Sequence, residues 1–214
     1  ARIIRHVDIR DFFDSIQVAK VCEAFNSLGS EPAVADLLSK VATIDGQLRQ
    51  GTRCAPVIAN LVCRGLDLAL EGLAQAHGSR YTRYADDLVF SGDAVPQFDK
   101  IAACLGREGF APRPRAGFTQ YRGRCQYVTG LTVGHSDRPR LPVRMKRNLR
   151  LVLYWIERVG AKAHFALVGQ HKTYASKAAV LGAIRFCHSV EPDFVRRLAV
   201  RFPSAVREVE WQKA

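Results

Sequence analysis

The chain has 214 residues, of which 48% are hydrophobic and 24% are charged. A chain of this size and composition buries a sizeable core in one or two domains, which excludes disordered and collagen-like proteins. It has no apolar run of the roughly 18 residues that a membrane span needs, and we expect no signal peptide because charged residues interrupt the opening segment. Because its six cysteines are scattered singly and without zinc spacing, we expect reduced thiols in a cytoplasmic protein.

The net charge of +12 is distributed unevenly along the chain. Residues 1–110 carry a net charge of −2, residues 111–150 carry +9 and residues 151–214 carry +5. This asymmetry indicates a polyanionic partner that is bound by the C-terminal half. A basic surface that contacts only solvent would explain the charge equally well, so charge alone does not identify the partner.

Hydrophobic periodicity predicts strands that alternate with helices. Strands are predicted at residues 2–9, at 81–85 with 88–90, and at 127–133. Apolar residues at three- and four-residue spacing predict helices at 18–25, 32–41, 56–77, 97–107, 143–159, 176–188 and 192–201 or later. This order is typical of an α+β protein whose sheet carries its helices on one face. Composition and pattern shift near residue 135, which predicts a subdomain boundary there.

Two adjacent carboxylates, Asp86 and Asp87, lie between two short predicted strands in the segment YADDLVF. Such a pair more often marks a solvated hairpin turn. Asp8, near the end of the first predicted strand, alternates with Val7 and Ile9 and would face solvent if taken alone. If that strand pairs beside the hairpin, the carboxylates converge on one sheet edge, where Mg²⁺ would find the oxygen ligands it prefers. Two such ions about 3.5–4 Å apart would clamp the attacking and leaving oxygens of a phosphoryl transfer.

Four segments resemble the palm motifs of reverse transcriptases, in the same order and at similar spacing: DIRDFFDSI, LRQGTRCAPVIANLV, YADDLVFSG and QYVTGLTVG. The segments VTGL and LGAIRFCHSVEPDFVRRL are most similar to bacterial retron reverse transcriptases. The resemblance extends from about residue 3 to about residue 202 and implies a right-hand polymerase palm, with a ferredoxin-like antiparallel sheet, and a helical thumb. We expect a palm with a remnant of the fingers at 1–134 and a basic helical thumb at 135–214. Since that family carries its fingers upstream of the first motif, we expect this chain to be part of a longer or a split enzyme.

The resemblance also implies roles for individual residues. Asp8, Asp86 and Asp87 match the catalytic, metal-binding carboxylates, and Ile9 would lend its backbone carbonyl to a metal ion. Phe13 matches the side chain beneath the incoming sugar, and Gln50 and Gly51 match contacts to nucleotide and template. The residues expected at primer or template are Tyr84, Ala85, Thr129, Gly130, Arg144, Lys146, Arg147 and Arg150.

The chain departs from the family pattern at three positions. Arg49 and Ala55 stand where the family usually has a proline and a serine in its second motif. Arg115 is the residue nearest to the position of a lysine that is thought to protonate the leaving pyrophosphate. Because arginine stays charged and donates protons poorly, general-acid help is expected to be weak or to come from another group.

Two neighbouring aromatic residues follow the first motif carboxylate. We expect Phe12 to lie in the core and Phe13 to lie against the ribose of the nucleotide, where it would exclude a 2′-hydroxyl by a steric clash. The alternative is that both rings belong to the core.

The resemblance implies an RNA-directed DNA polymerase of retron type that extends DNA from dNTPs, with two Mg²⁺ ions, or Mn²⁺ as their substitute, as cofactors. The implied partners are a structured non-coding RNA that is both template and primer, the RNA–DNA hybrid product and an effector protein, in antiviral defence and without a membrane. Two alternatives stay open: a defence-associated polymerase that is protein-primed or untemplated, and a non-catalytic RNA-binding assembly protein. Clustered carboxylates argue against the last, because an inactive scaffold does not need them.

Overall fold

The computed structural model describes residues 1–114, 117–134, 137–167 and 174–210. The chain divides into two compact units, Ala1–Gln126 and Tyr127–Ala214. The boundary lies after Gln126 and not after residue 134, because Leu131 packs on the core of the second unit and Thr132 exchanges backbone hydrogen bonds with Arg140. The assignment of the two units as palm and thumb stays a prediction.

The first unit contains a four-stranded antiparallel sheet. Its strands are β1 (Ile3–Asp8), β2 (Arg80–Tyr84), β3 (Asp87–Gly92) and β4 (Phe118–Tyr121), in the order β2-β3-β1-β4. With helices between β1 and β2 and between β3 and β4, this is the strand order of a split β-α-β sheet, as in ferredoxin-like folds. The predicted α+β class with an antiparallel sheet is confirmed.

The helices of the first unit bury the apolar side chains of the two central strands. They are α1 (Val18–Ser27), α2 (Pro32–Ala42), α3 (Ala55–Val62), α4 (Arg64–Gln75) and α5 (Phe98–Arg107). Val7 on β1 and its cross-strand neighbour Leu88 on β3 lie in one core cluster with Leu70 of α4 and Leu105 of α5. Alternate residues of each strand therefore face the helices, and the residues between them face the other side.

Two features of the first unit differ from the predicted elements. The single helix expected at 56–77 is two helices, because Cys63 leaves the helical conformation (φ −79°, ψ 3°). One nonhelical residue does not disturb the apolar periodicity enough to be seen in the sequence. Strand β4 is not among the predicted strands, since it has only four residues and its Phe118 and Tyr121 are exposed.

The second unit is a hairpin followed by helices. The hairpin consists of β5 (Tyr127–Val128) and β6 (Leu131–Thr132), so the strand expected at 127–133 is two short strands around a turn. The helices are α6 (Val143–Val159), α7 (Ala161–Leu167), α8 (Lys177–Val190), α9 (Pro192–Arg201) and α10 (Pro203–Glu208). Leu149, Leu153 and Ile156 of α6 recur at helical spacing and lie in the buried core of the second unit. The short helices α7 and α10 are not among the predicted elements.

In the part of the chain that the structure describes, no helix combines the length and the apolar character that a membrane crossing requires. All six cysteines lie in that part and are free thiols.

Glu191, between α8 and α9, joins three segments of the second unit. Its carboxylate accepts hydrogen bonds from the Leu141 N–H (2.8 Å) and from Lys146 Nζ (2.7 Å), and Arg140 Nη1 lies at 3.9 Å. Burial alone would raise the pKa of Glu191, but these hydrogen bonds and the positive charges of Lys146 and Arg140 outweigh it and hold the pKa below its ordinary value.

We predict that Glu191→Gln destabilises the second unit at pH 7 by about 2 kcal/mol, the scale of hydrogen bonds to a charged group. Because the pKa is lowered in the folded state, the stabilisation by the Glu191 carboxylate is complete above its ordinary value of 4.5 and is lost as pH falls through the folded value. The difference between parent and variant should therefore shrink in acid. Urea unfolding followed by tryptophan fluorescence measures it, since both tryptophans belong to this unit. The exposed Asp193, replaced by Asn, is the control and should change stability little.

Candidate active site

The register of β1 and β3 brings three carboxylates to one end of the sheet. The two strands pair antiparallel from Ile3 opposite Gly92 to Asp8 opposite Asp87. Directly opposite residues of an antiparallel pair project on the same face, with Cβ atoms about 4.5–5.5 Å apart. Asp86, the residue before Asp87, lies beside the end of β1, because its carbonyl accepts a hydrogen bond from the Ile9 N–H at 2.9 Å. Carboxylates that are far apart in the sequence are thus neighbours.

Asp86 lies in the two-residue turn that joins β2 to β3. Tyr84 pairs with Asp87 across this turn, and Ala85 has φ +52°, in the left-handed region. A left-handed residue other than glycine costs about 1–2 kcal/mol, so the flanking strand pairs must hold this conformation. The strained turn fixes where the Asp86 backbone emerges relative to Asp8.

The repulsion within this cluster is reflected in the pKa of Asp8. Burial raises the pKa of its carboxyl, and the negative charges of Asp87 and Asp86 raise it further. Positive charge on Arg113 and His6 opposes these effects without cancelling them. The folded chain therefore holds like charges together at a net electrostatic cost.

Two residues outside the predicted set contact these carboxylates. Arg113 Nη2 lies 3.8 Å from Asp86 Oδ2, and the Arg113 N–H donates to the Asp8 carbonyl at 2.7 Å. His6 Nδ1 lies 3.2 Å from Asp87 Oδ1, and the imidazole stacks on Phe118 with ring centroids 4.5 Å apart. A signal for His6 exists in the sequence, since it stands two residues before Asp8 and hence on the same face of the strand.

The donor chemistry of the cluster fits a divalent cation such as Mg²⁺, because carboxylates and a nearby backbone carbonyl are hard oxygen ligands. However, among the described residues no three His, Cys, Asp or Glu side chains form a group ready to hold a metal ion. The contacts give the physical reason: Asp86 faces Arg113 and Asp87 faces His6, while the three negative charges repel one another. The metal site therefore stays a prediction.

The residues expected at the nucleotide lie in two places. Phe12 is buried in the core, as predicted, and the half-buried Phe13 packs edge-on against it with centroids 5.1 Å apart. Gln50 and Gly51 are exposed in the loop before α3, and Gly51 has φ +99°, which favours glycine. Arg115 lies outside the described residues.

The residues expected at primer and template are mostly exposed. Tyr84 is 73% exposed. Thr129 and Gly130 connect β5 to β6 with φ of +47° and +80°, the positive values that a tight type I′ hairpin turn requires.

The basic residues expected on α6 do not share one environment. Arg144, Arg147 and Arg150 are exposed. Lys146 differs, because its side chain is 20% exposed and is held by Glu191. It is part of the internal structure of the second unit, which its sequence position among arginines does not reveal.

The amino-acid sequence is similar to those of known retron reverse transcriptases. Retron Mx65 reverse transcriptase from Myxococcus xanthus is 34% identical over 70% of this chain and 42% of its own length. Retron Ec86 reverse transcriptase from Escherichia coli is 38% identical over 64% of this chain and 44% of its own. The predicted resemblance to retron reverse transcriptases is confirmed. The chain spans less than half the length of these two relatives, and no protein-family model matches it.

The fold has a counterpart among solved structures. Telomerase from Candida albicans, in complex with a TWJ fragment of telomeric RNA, covers 97% of this chain with a TM-score of 0.50 at 9% identity. This chain covers 40% of that protein. At this identity the likeness concerns the fold alone.

We predict that Asp8→Asn leaves stability unchanged or raises it at pH 7 in the presence of a chelator. Like charges directly opposite in a sheet destabilise it by about 0.2–1 kcal/mol, and the variant removes one of them. Because the Asp8 pKa is raised in the folded state, the parent carries this penalty above the folded pKa and is relieved of it as pH falls. The difference in unfolding free energy between Asp8→Asn and the parent should therefore disappear in acid. Urea unfolding followed by circular dichroism measures it, with the exposed Asp93, replaced by Asn, as the control.

Proposed function

We propose that this chain is the palm and thumb part of an RNA-directed DNA polymerase of retron type. The single observation that carries the proposal is the pairing of Asp8 with Asp87, beside Asp86, at the end of β1 in a chain similar to retron reverse transcriptases. A carboxylate pair in direct opposition weakens the fold, so we expect it to be kept for a ligand of opposite charge.

The reaction would be attack of a primer 3′-oxygen on the α-phosphate of a dNTP, with pyrophosphate as the leaving group. Asp8, Asp86, Asp87 and the Ile9 carbonyl would hold the metal ions. Two Mg²⁺ ions, or Mn²⁺ in their place, would neutralise charge at the attacking and leaving oxygens. The protein needs no nucleophile of its own, so its residues act by position and charge.

The nucleotide would bind against Phe13 and beside the loop of Gln50 and Gly51. Arg113 contacts the cluster directly, because its guanidinium lies 3.8 Å from Asp86. Arg113 and Arg115 would stabilise the negative charge of the pyrophosphate and would not supply a proton, since a guanidinium stays charged.

The partners would be a structured non-coding RNA that is template and primer, the RNA–DNA hybrid and the dNTPs. Tyr84, Ala85, Thr129 and Gly130 would contact the primer end. The exposed Arg144, Arg147 and Arg150 would bind phosphates, an electrostatic contribution that weakens as salt is raised. An effector protein and a role in antiviral defence belong to the same proposal.

We predict that Asp86→Asn lowers DNA synthesis on a primed RNA template about 100- to 1000-fold, the scale on which one electrostatic contact to a transition state acts. Asp93→Asn is the matched control, because Asp93 is exposed and follows directly after Gly92, at the end of β3 that lies away from Asp87. Primer extension with Mg²⁺ measures both variants. A near-parent rate in Asp86→Asn would reject the polymerase site, and synthesis without added RNA would favour an untemplated enzyme.

We further predict that Phe13→Ala selectively raises ribonucleotide incorporation, since removing the ring opens space for a 2′-hydroxyl. A half-buried ring costs less than the roughly 3–5 kcal/mol of a fully buried phenylalanine, so the variant should fold. Phe25→Ala is the control, because Phe25 is also half-buried on the same core. Competing dNTP and rNTP extension measures the preference. An unchanged preference in a folded, active variant would assign Phe13 to the core alone.

A further inference from the structure

The loop of Gln50 and Gly51 must keep a fixed place if it is to contact a nucleotide. Both residues are exposed, and Gly51 adopts a left-handed conformation. Glycine loses more backbone freedom on folding than any other residue, so this loop is costly to order. A proline before the glutamine would restrict the backbone, but the chain has Arg49 there. Order in this loop must therefore come from another contact.

Backbone hydrogen bonds order the segment that leads into the loop. The Val18 N–H donates to the Gly46 carbonyl at 2.8 Å, and the Leu48 N–H donates to the Ile16 carbonyl at 2.9 Å. Leu48 is fully buried. Within the described residues, Leu48 carries the last backbone hydrogen bond from this segment to the chain after β1, and only Arg49 separates it from the loop.

Arg49 continues the connection through its side chain. Its Nη1 lies 3.1 Å from Asp14 Oδ1, and its Nη2 lies 3.8 Å from Asp45 Oδ2. Asp14 directly follows Phe13 in the sequence. The guanidinium thus joins the residue before Gln50 to the residue after Phe13, the two parts of the proposed nucleotide site.

The exposure of these side chains favours a local positioning role for the ion pair over a role in global stability. Arg49 is 38% exposed and Asp14 51%, so the ion pair adds little to global stability. Its effect should be local, on the order of the loop. Two carboxylates on one planar guanidinium hold it more firmly than a single ion pair would, and lysine could not reproduce this fork.

We infer that Arg49 is a positioning residue that holds the Gln50–Gly51 loop beside Phe13 and thereby sets the affinity for the incoming nucleotide. This inference rests on the proposed function for its nucleotide, although the order of the loop can be measured without one.

The test begins with Arg49→Gln. We expect the KM for dNTP to rise about fivefold, the scale of one exposed ion pair, with kcat within twofold and an unchanged melting temperature. Hydrogen–deuterium exchange at residues 49–53, without substrate, should become faster. Lys40→Gln is the matched control, because it removes another exposed ion pair, with Asp36 at 2.7 Å, and should leave KM and loop exchange as in the parent.

A charge swap tests the pairing itself. Arg49→Asp and Asp14→Arg should each raise KM and loop exchange, and the double variant should recover toward the parent, although Asp45 then repels the new aspartate. Arg49→Lys keeps the positive charge but loses the two-pronged guanidinium, so its KM and loop exchange should lie between those of the parent and Arg49→Gln. This variant still tests the inference if a charge-swapped variant fails to fold.

Unchanged loop exchange in Arg49→Gln, or a fall in kcat at constant KM, would overturn the inference. A double variant no better than its worse single parent would do the same. If the parent chain incorporates no nucleotide at all, the proposed function is rejected, and the exchange measurements alone decide whether Arg49 orders the loop.

Discussion

The register between β1 and β3 is the constraint on which the rest of the candidate site depends. Because β-strand side chains alternate with a period of two, a slip by one residue would move Asp8 to the helix-facing side and expose Val7. Val7 and Leu88 are directly opposite each other in the core, one pair before Asp8 and Asp87. Core burial therefore enforces the register, and the register forces the two carboxylates together. The hydrophobic core thus imposes the electrostatic cost seen in the raised Asp8 pKa.

The hairpin that carries Asp86 is held on its helix-facing side by an ion pair between β2 and α4. Arg83 on β2 donates to both oxygens of Asp67 on α4, at 2.8 and 2.7 Å, and Tyr81 donates to the same carboxylate at 2.8 Å. The Arg83 side chain is 6% exposed, and a bidentate geometry is needed to offset the desolvation of such a charge. Arg83 Nη1 also donates to the carbonyl of Ala85, the strained residue of the turn. The strain at Ala85 is therefore supported by contacts on the helix side, away from the carboxylates.

Much of this arrangement could be predicted from residues, and the remainder could not for definite reasons. Strand β1 and helices α6 and α9 follow from apolar spacing, and Phe12 from its place in the first motif. The contact of Arg113 with Asp86 depends on how the chain returns beside β1, which is a tertiary pairing that local pattern does not encode. The diversion of Lys146 to Glu191 likewise requires knowledge that α6 and α9 are neighbours. The family resemblance predicted which carboxylates meet, but the positive groups that contact them are not part of the motifs that carry it.

The second unit has 16 Lys and Arg residues against 6 Asp and Glu residues. Some of these positive side chains contact a carboxylate within the unit, and others do not. Lys146 and Arg140 both face Glu191, whose single negative charge offsets part of theirs inside the unit. With about 100° per residue along a helix, Arg144 and Arg147 lie on the side of α6 opposite the buried Leu149 and Leu153. Among the described residues they have no carboxylate within ion-pair distance, so their charge acts outward. A helix that buries apolar residues on one side and presents uncompensated guanidinium groups on the other gains nothing in stability from their mutual repulsion. The charge on that side therefore does not serve the stability of the fold, and its contact with an anionic partner stays a prediction.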